Sequence, residues 1–113
     1  MDLRAERMAA NEVAHRRLNE KIEGSYESHP LDSRMDVVCE CGQEVCDVFL
    51  RVAKPEYEDV RASGRQFIIF RDHLNPEVDV LVFEHERFTV VAKREGEPAE
   101  FAEQTDPRHE PGS

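Results

Sequence analysis

The sequence predicts an α+β domain with a small, largely antiparallel sheet and short helices. Short apolar runs typical of strands alternate with short helical patterns along the middle of the chain. A length of 113 residues suits one domain with a modest core. Charged residues make up 35% of the chain, and the segments at both ends are mainly polar. We therefore predict an N-terminal helical arm at 1–23, a linker at 24–33, a zinc-stabilised core at 34–94 and an acidic, flexible tail at 95–113.

The arm is predicted to be one helix. Val13, Leu18 and Ile22 recur close to helical spacing among good helix formers, and Gly24 stands where a helix ends. The apolar stripe is narrow. The helix therefore either packs on its own domain or pairs with a partner helix, which allows a homodimer through this segment.

The core is predicted to contain two strands joined by a tight turn, MDVVCECG at 35–42 and VCDVFLRVA at 45–53. A short helix follows at 54–64, with Pro55 in its first turn and Gly64 as its stop. RQFIIFRD at 65–72 and RFTVVAKRE at 87–95 are the third and fourth strands.

The segment 76–84 fits two structures. Asn75 before Pro76 is typical of a helix start, and apolar residues follow from Val78 at i, i+3 and i+4. The run VDVLVF also suits a strand because it is rich in β-branched residues. The helix is the favoured prediction.

Charge and hydropathy exclude several classes of partner. A net charge of -10 argues against general nucleic-acid binding and against anionic membrane surfaces, since both need basic patches. No apolar run approaches the roughly 18 residues of a membrane span, and the start of the chain lacks the apolar region of a secretory signal. We expect a cytoplasmic protein whose acidic tail, weakly helical or disordered, is suited to a basic protein partner.

All three cysteines fall within DVVCECGQEVC at 36–46. Side chains alternate along a strand, so Cys39 and Cys41 should share one face and Glu40 should point the other way. A disulfide to Cys46 would leave one thiol over. Zinc uses thiolates as ligands, although the spacing C-x-C-x4-C differs from the common C-x2-C.

A fourth ligand would have to be a histidine. His73 is the preferred candidate because it follows the apolar strand at its polar exit, with Asp72 and Asn75 as possible partners for the imidazole. The predicted site is Zn²⁺ held by Cys39, Cys41, Cys46 and His73. A three-thiolate or water-completed site, and no metal at all, remain open.

The other histidines are weaker candidates. His15 lies on the predicted helix and His109 in the tail, both poor places for a preorganised ligand. His29 is on the linker, and His85 would share a helix face with apolar residues. The last two remain alternatives for the fourth ligand.

The segments NEVAHRRLNEKIE, CECGQEVC, EYEDVR, DHLNPEV and RFTVVAKREGEPAE together resemble a family of small uncharacterised actinobacterial proteins with a C-E-C-x4-C motif, a downstream E-Y-E-x-V-R segment and a later His. The similarity runs from about residue 10 to residue 108. Asp72 replaces the small residue that precedes the family's His. The resemblance implies that Cys39, Cys41, Cys46 and His73 belong together, and it implies no enzyme class.

The favoured function is that of a small zinc-binding accessory or regulatory protein, not an enzyme, that acts through protein–protein interaction. The first alternative is a zinc-dependent or thiol-based enzyme or a redox-sensitive switch. Glu40, the only acid between the cysteines at 39 and 41, should point away from a metal there, which weakens the enzyme hypothesis. A weaker alternative is a DNA-binding regulator, since the predicted N-terminal helix carries Arg4, Arg7, Arg16, Arg17 and Lys21, but five acids offset them.

Overall fold

The computed structural model describes residues 2–108, which form an α+β domain. The elements follow in the order α1 (Leu3–Gly24), β1 (Arg34–Val38), β2 (Phe49–Ala53), α2 (Lys54–Arg61), β3 (Gln66–Ile69), a 3-10 turn (Arg71–His73), β4 (Asp79–Glu84), β5 (Thr89–Lys93) and α3 (Glu97–Gln104). The predicted fold class is thereby confirmed.

The strands divide between two small antiparallel sheets. β1 pairs with β2, and the other sheet has the order β3-β5-β4. The backbone of Glu40 joins them, because its N–H donates to the carbonyl of Ile68 in β3 at 2.8 Å. The core lies between the sheets, α2 and α3, and includes Met35, Val37, Leu50, Val52, Tyr57, Phe67, Ile68, Val91 and Ala102.

The first two strands are shorter than predicted. β1 ends at Val38 and β2 begins at Phe49, so the predicted extent of both strands is wrong, and residues 39–48 form a longer connection, which we call the cysteine loop. The predicted tight turn lies within this loop, at residues 43–46. The loop remains extended at its start, where the N–H of Cys39 donates to the carbonyl of Val48 at 3.0 Å.

The favoured helix at 76–84 is wrong, because Asp79–Glu84 forms strand β4 against β5. The Asn75 side chain accepts from the N–H of Glu77, and the Asn75 carbonyl accepts from the N–H of Val78. These bonds close a turn instead of starting a helix. Five of the six residues of β4 are exposed, so no alternation of buried and exposed positions marks it as a strand in the sequence.

The predicted helix at the N-terminus is confirmed as α1. The side chain of Asp2 caps it by accepting from the N–H of Ala5 at 2.8 Å. α1 packs on β1 and α3 of its own domain. Its buried face is mainly polar, and consists of Glu12, Val13, Arg16, Asn19 and Glu23.

The structure corrects two expectations about the residues of this helix. Leu18, placed in the apolar stripe, is exposed. Arg16, counted in a possible basic face for DNA, is fully buried and donates to the carbonyls of Gly64 and Ala102. Between residues 2 and 108, no helix is long and apolar enough to cross a membrane.

Much of the segment predicted to be a flexible tail, 95–113, is folded. Glu97–Gln104 forms α3, and Ala99 and Ala102 are buried against the core. Beyond it, Asp106 pairs with the buried Arg61. Residues 109–113, including His109, lie outside the described part of the chain.

Candidate metal centre

The cysteine loop carries three thiols on one short segment between β1 and β2. Cys39 and Cys41 are buried, and Cys46 is partly buried. As the strand alternation predicted, the side chains of Cys39 and Cys41 point to one side of the chain and that of Glu40 points to the other. The loop bends back after Gly42, where the N–H of Cys46 donates to the carbonyl of Gln43 at 3.4 Å.

His73 reaches the loop from the other sheet. It ends the 3-10 turn after β3, and its N–H donates to the carbonyl of Phe70 at 2.9 Å. Its imidazole packs edge-on against the Phe70 ring, with centroids 5.4 Å apart. These contacts hold the ring over the thiols although His73 is 34 residues from Cys39.

The structure brings together the four predicted ligands, Cys39, Cys41, Cys46 and His73, whose ligand atoms all lie within 4.8 Å of one another. Nδ1 of His73 is 3.5 Å from Sγ of Cys39 and 3.6 Å from Sγ of Cys46. A tetrahedral zinc with bonds of about 2.3 Å to sulfur and 2.0–2.1 Å to nitrogen sets sulfur–nitrogen distances of roughly 3.6 Å and sulfur–sulfur distances of roughly 3.8 Å. The cluster can hold one metal ion after a small contraction.

Backbone N–H groups favour the thiolate form of the three cysteines. The N–H of Phe70 donates to Sγ of Cys39 at 3.2 Å. The backbone N–H groups of Gln43 and Val48 act to lower the pKa of Cys41 and of Cys46. Such bonds stabilise thiolates and orient them before an ion binds.

The thiols share their protons unequally. The hydrogen bond from the Cys39 thiol lowers the pKa of Cys41 to about 5, and the same bond, with burial, raises the pKa of Cys39. Burial raises the pKa of Cys46. Because thiolates are the metal-binding form, the binding of a divalent cation would displace the thiol protons of the cluster.

A polar stripe on α1 supports the cysteine loop from behind. Nδ2 of Asn11 donates to the carbonyl of Gly42 at 3.0 Å, and Nδ1 of His15 donates to the carbonyl of Cys41 at 2.8 Å. Asn19 bonds both the N–H and the carbonyl of Val38 at 2.8 Å. The sequence reasoning missed this role, and the only signal for it is the spacing of three polar side chains at i, i+4 and i+8.

Glu40 is fully buried on the side of the loop away from the thiols. Its carboxylate accepts from Asn19 Nδ2 and Tyr57 Oη at 2.8 Å and from the N–H of Ile68 at 3.0 Å. Burial raises its pKa, and these three donors partly oppose that rise. It fastens the loop to the core and does not face the cluster.

The remaining candidate ligands lie elsewhere. His29 packs on the ring of Tyr26, and His85 stacks on Phe88 with centroids 4.6 Å apart. Neither belongs to the group of metal-ligating atoms found among residues 2–108. The side-chain oxygen of Asn75, predicted to support the imidazole of His73, accepts from the N–H of Glu77 instead.

A cavity of about 600 Å³ borders the cluster at His73. It also touches a buried ion group, in which Nζ of Lys93 donates to Glu12 and, at 2.6 Å, to Asp79. Burial raises the pKa of Glu12 to about 7, although Lys93 partly opposes this. The ammonium group also lies 5.4 Å from the Phe67 ring centroid, within range of a cation–π contact.

The arrangement is thus a preorganised set of three thiols and one imidazole, joined by backbone donors and supported by α1. Its chemistry is that of a site for one thiophilic cation. Comparisons with protein-family models, with curated protein sequences and with solved structures found no match to this chain.

Proposed function

We propose that this protein is a small zinc-binding accessory or regulatory protein in which the zinc is structural. The observation that carries the proposal is the convergence of Cys39, Cys41, Cys46 and His73 within 4.8 Å. Three thiolates and one imidazole form a common ligand set for structural zinc. We also propose that the chain belongs to the family that it resembles, since the same four residues are the ones that the resemblance implies.

A structural role is favoured over a catalytic one. Four protein ligands complete a tetrahedral zinc and leave no position for water or substrate. The nearest sequence candidate for a general base, Glu40, is turned away and already accepts three hydrogen bonds. We therefore propose that the protein is not an enzyme.

The surface next to the site supports an interaction role. Val45, in the cysteine loop, is almost fully exposed, and Phe49 at the start of β2 is also exposed. A bound zinc would hold this part of the loop in one conformation, which lowers the entropic cost of binding a partner. A net charge of -10 favours a basic partner, and three free thiols favour a reducing compartment such as the cytoplasm.

A redox-sensitive switch is the second candidate, and the closeness of the three sulfurs favours it. Hydrogen peroxide would oxidise two thiolates to one disulfide, take up two protons and leave as two molecules of water, and the zinc would lose two ligands. Release of zinc at peroxide concentrations that leave other structural zinc proteins loaded would support this function.

Native mass spectrometry and metal analysis under reducing conditions test the proposed zinc site. We expect one zinc per wild-type chain and loss of bound zinc in His73→Ala. His29→Ala is the matched control, because His29 packs on Tyr26 away from the cluster, and it should keep the metal. Wild-type protein that is isolated metal-free with intact thiols, and that stays equally stable in chelator, would overturn the proposal.

A further inference from the structure

The cavity that borders the metal cluster also reaches into the interior of the domain. Its volume of about 600 Å³ lies within the range of roughly 300–1,000 Å³ that is typical of small-molecule sites. Residues of α1, α3 and all three strands of the sheet β3-β5-β4 line it. The apolar part of the lining consists of Met8, Phe67, Leu74, Val78, Pro98 and Phe101. A cavity of this size and composition can enclose a small organic molecule.

A buried charged group in the cavity lining carries more negative than positive charge. Nζ of Lys93 donates to Glu12 and, at 2.6 Å, to Asp79. Glu12 is 9% exposed and Asp79 is 4% exposed, so water screens neither carboxylate well. One ammonium thus faces two carboxylates, and a buried charge without a counter-charge is costly. A second cation in the cavity would balance the group.

Glu12 is the carboxylate that keeps an unused acceptor. Both oxygens of Asp79 are bonded, because Oδ1 accepts from Lys93 and Oδ2 accepts from the N–H of Asn75 at 2.9 Å. In Glu12 only Oε2 is bonded, and Oε1 accepts no hydrogen bond from any of residues 2–108. Burial raises the pKa of Glu12 to about 7, although Lys93 opposes this rise. Because Glu12 lines the cavity, a donor held there can reach the unused oxygen.

We propose that the cavity binds a primary ammonium group carried on a small apolar body, and that Glu12 is its main acceptor. Apart from the buried group, the described lining has three acidic residues and one arginine, which favours a cation over an anion. These residues are Asp2, Asp72, Glu77 and Arg4. The proposal does not rest on zinc, because the ammonium site and the four metal ligands share no residue.

A small aromatic amine with matched counterparts is a suitable set of probes. 2-Phenylethylamine carries an ammonium group beside one phenyl ring, whereas 2-phenylethanol and 3-phenylpropionate are its neutral and anionic counterparts of similar size. One charge-assisted contact in a cavity of this kind supports a dissociation constant of about 0.1–1 mM for the amine. We expect the alcohol and the acid to bind at least about tenfold more weakly.

A chemical-shift titration by NMR of the full chain, as isolated under reducing conditions, measures the binding and locates it. The amide signals of Glu12, Asp79 and Lys93 should move on addition of the amine. Nα-Acetyl-lysine methylamide carries the same ammonium group on a lysine side chain. The tighter of the two ammonium compounds then distinguishes a free amine from a protein lysine as the source of the group.

Two variants test the site in different ways. Glu12→Gln removes the charged acceptor and should weaken binding of the amine by about tenfold or more. Ala9→Leu keeps every charge but adds apolar atoms to the cavity lining, so it should also weaken binding. Glu100→Gln is the matched control, because Glu100 is exposed on α3 and does not line the cavity. It removes one carboxylate and should bind the amine as wild type does.

Several results would overturn the proposal. Neither ammonium compound binding at concentrations up to about 10 mM is one of them. Equal affinity for 2-phenylethylamine and 2-phenylethanol is another, and so is tighter binding of 3-phenylpropionate. Unchanged affinity in Glu12→Gln, with circular dichroism showing that the variant is folded, would equally overturn it. If Glu12→Gln does not fold, unchanged affinity in Ala9→Leu has the same meaning.

Discussion

Gly42 is the residue at which the cysteine loop touches α1. A Cβ atom there would lie 2.8 Å from the Cβ and 2.8 Å from the carbonyl oxygen of Met8. The carbonyl belongs to the helix backbone and cannot move aside. The glycine therefore permits the close approach that brings the Asn11 and His15 side chains within reach of the loop.

Gly42→Ala should push the loop away from the helix. We expect a loss of about 1–3 kcal/mol in the free energy of unfolding, together with weaker zinc binding. Denaturant unfolding and a zinc competition titration measure the two effects. Gly24→Ala is the control, because nothing lies within 4 Å of a Cβ added at that position. Equal effects of the two substitutions would contradict this account of Gly42.

Glu12 should make stability depend on pH. Burial raises its pKa from 4.5 to about 7, so the folded chain holds the Glu12 proton more tightly than the unfolded chain does. The stabilisation from this proton is complete below the unfolded pKa and is lost as the pH rises through the folded value.

Glu12→Gln removes this titration and keeps a neutral side chain in place. The free energy of unfolding of wild type minus that of the variant should fall by about 1–3 kcal/mol between roughly pH 5 and pH 8. Urea unfolding of both proteins at several pH values measures the difference. A difference that does not change with pH would show that Glu12 titrates alike in the folded and unfolded chains.

At the scale of elements, α1 acts as a support for the cysteine loop. Its side chains at 11, 15 and 19 bond the backbone of residues 38, 41 and 42. A helix with such a role cannot be recognised by an apolar stripe, because its buried face satisfies backbone donors and acceptors with polar groups. This is why the sequence predicted the helix but not its function.

His15→Ala tests the support. We expect zinc affinity to fall by about tenfold, the lower end of the effect of losing an outer partner of a ligand, while one zinc still binds. The zinc competition titration gives the affinity, and metal analysis gives the stoichiometry. His29→Ala should leave both unchanged. Complete loss of zinc in His15→Ala would instead indicate that His15 is itself a ligand.

Some features of the structure could be predicted from the sequence and others could not, for physical reasons. The four candidate ligands were accessible to prediction because three are local and His73 is a histidine at a strand exit. β4 was not, since a strand exposed on both faces lacks the alternation that distinguishes a strand from a helix. The extent of β1 was overestimated because Cys39 and Cys41 read as strand residues although the loop begins there.

At the scale of the whole molecule, buried ion pairs fix the C-terminal segment to the rest of the chain. The guanidinium of Arg61, on α2, is fully buried between Glu20 of α1 and Asp106. Arg108 extends this network to Glu20, Glu23 and Glu58. Sequence composition indicated only an acidic tail, because the partners of these charges are distant along the chain.

Asp106→Asn should therefore destabilise the whole domain. It leaves the buried guanidinium of Arg61 with one carboxylate, and we expect a loss of about 3 kcal/mol in the free energy of unfolding. Glu103→Gln, which breaks the exposed pair with Arg65, should cost less than about 1 kcal/mol. Denaturant unfolding compares them, and similar losses would contradict the distinction between buried and exposed pairs.

Two sets of contacts at the start of the cysteine loop join the two sheets. One fastening does not depend on zinc: the backbone N–H of Glu40 donates to the carbonyl of Ile68, and the Glu40 carboxylate accepts from the N–H of Ile68. The other lies one residue away on each side, where Cys39 and Cys41 face His73, and under the proposed function it closes only when zinc is supplied. A cell short of zinc would then hold a protein whose two sheets lack this second fastening, so the stiffness of the domain would report the zinc supply.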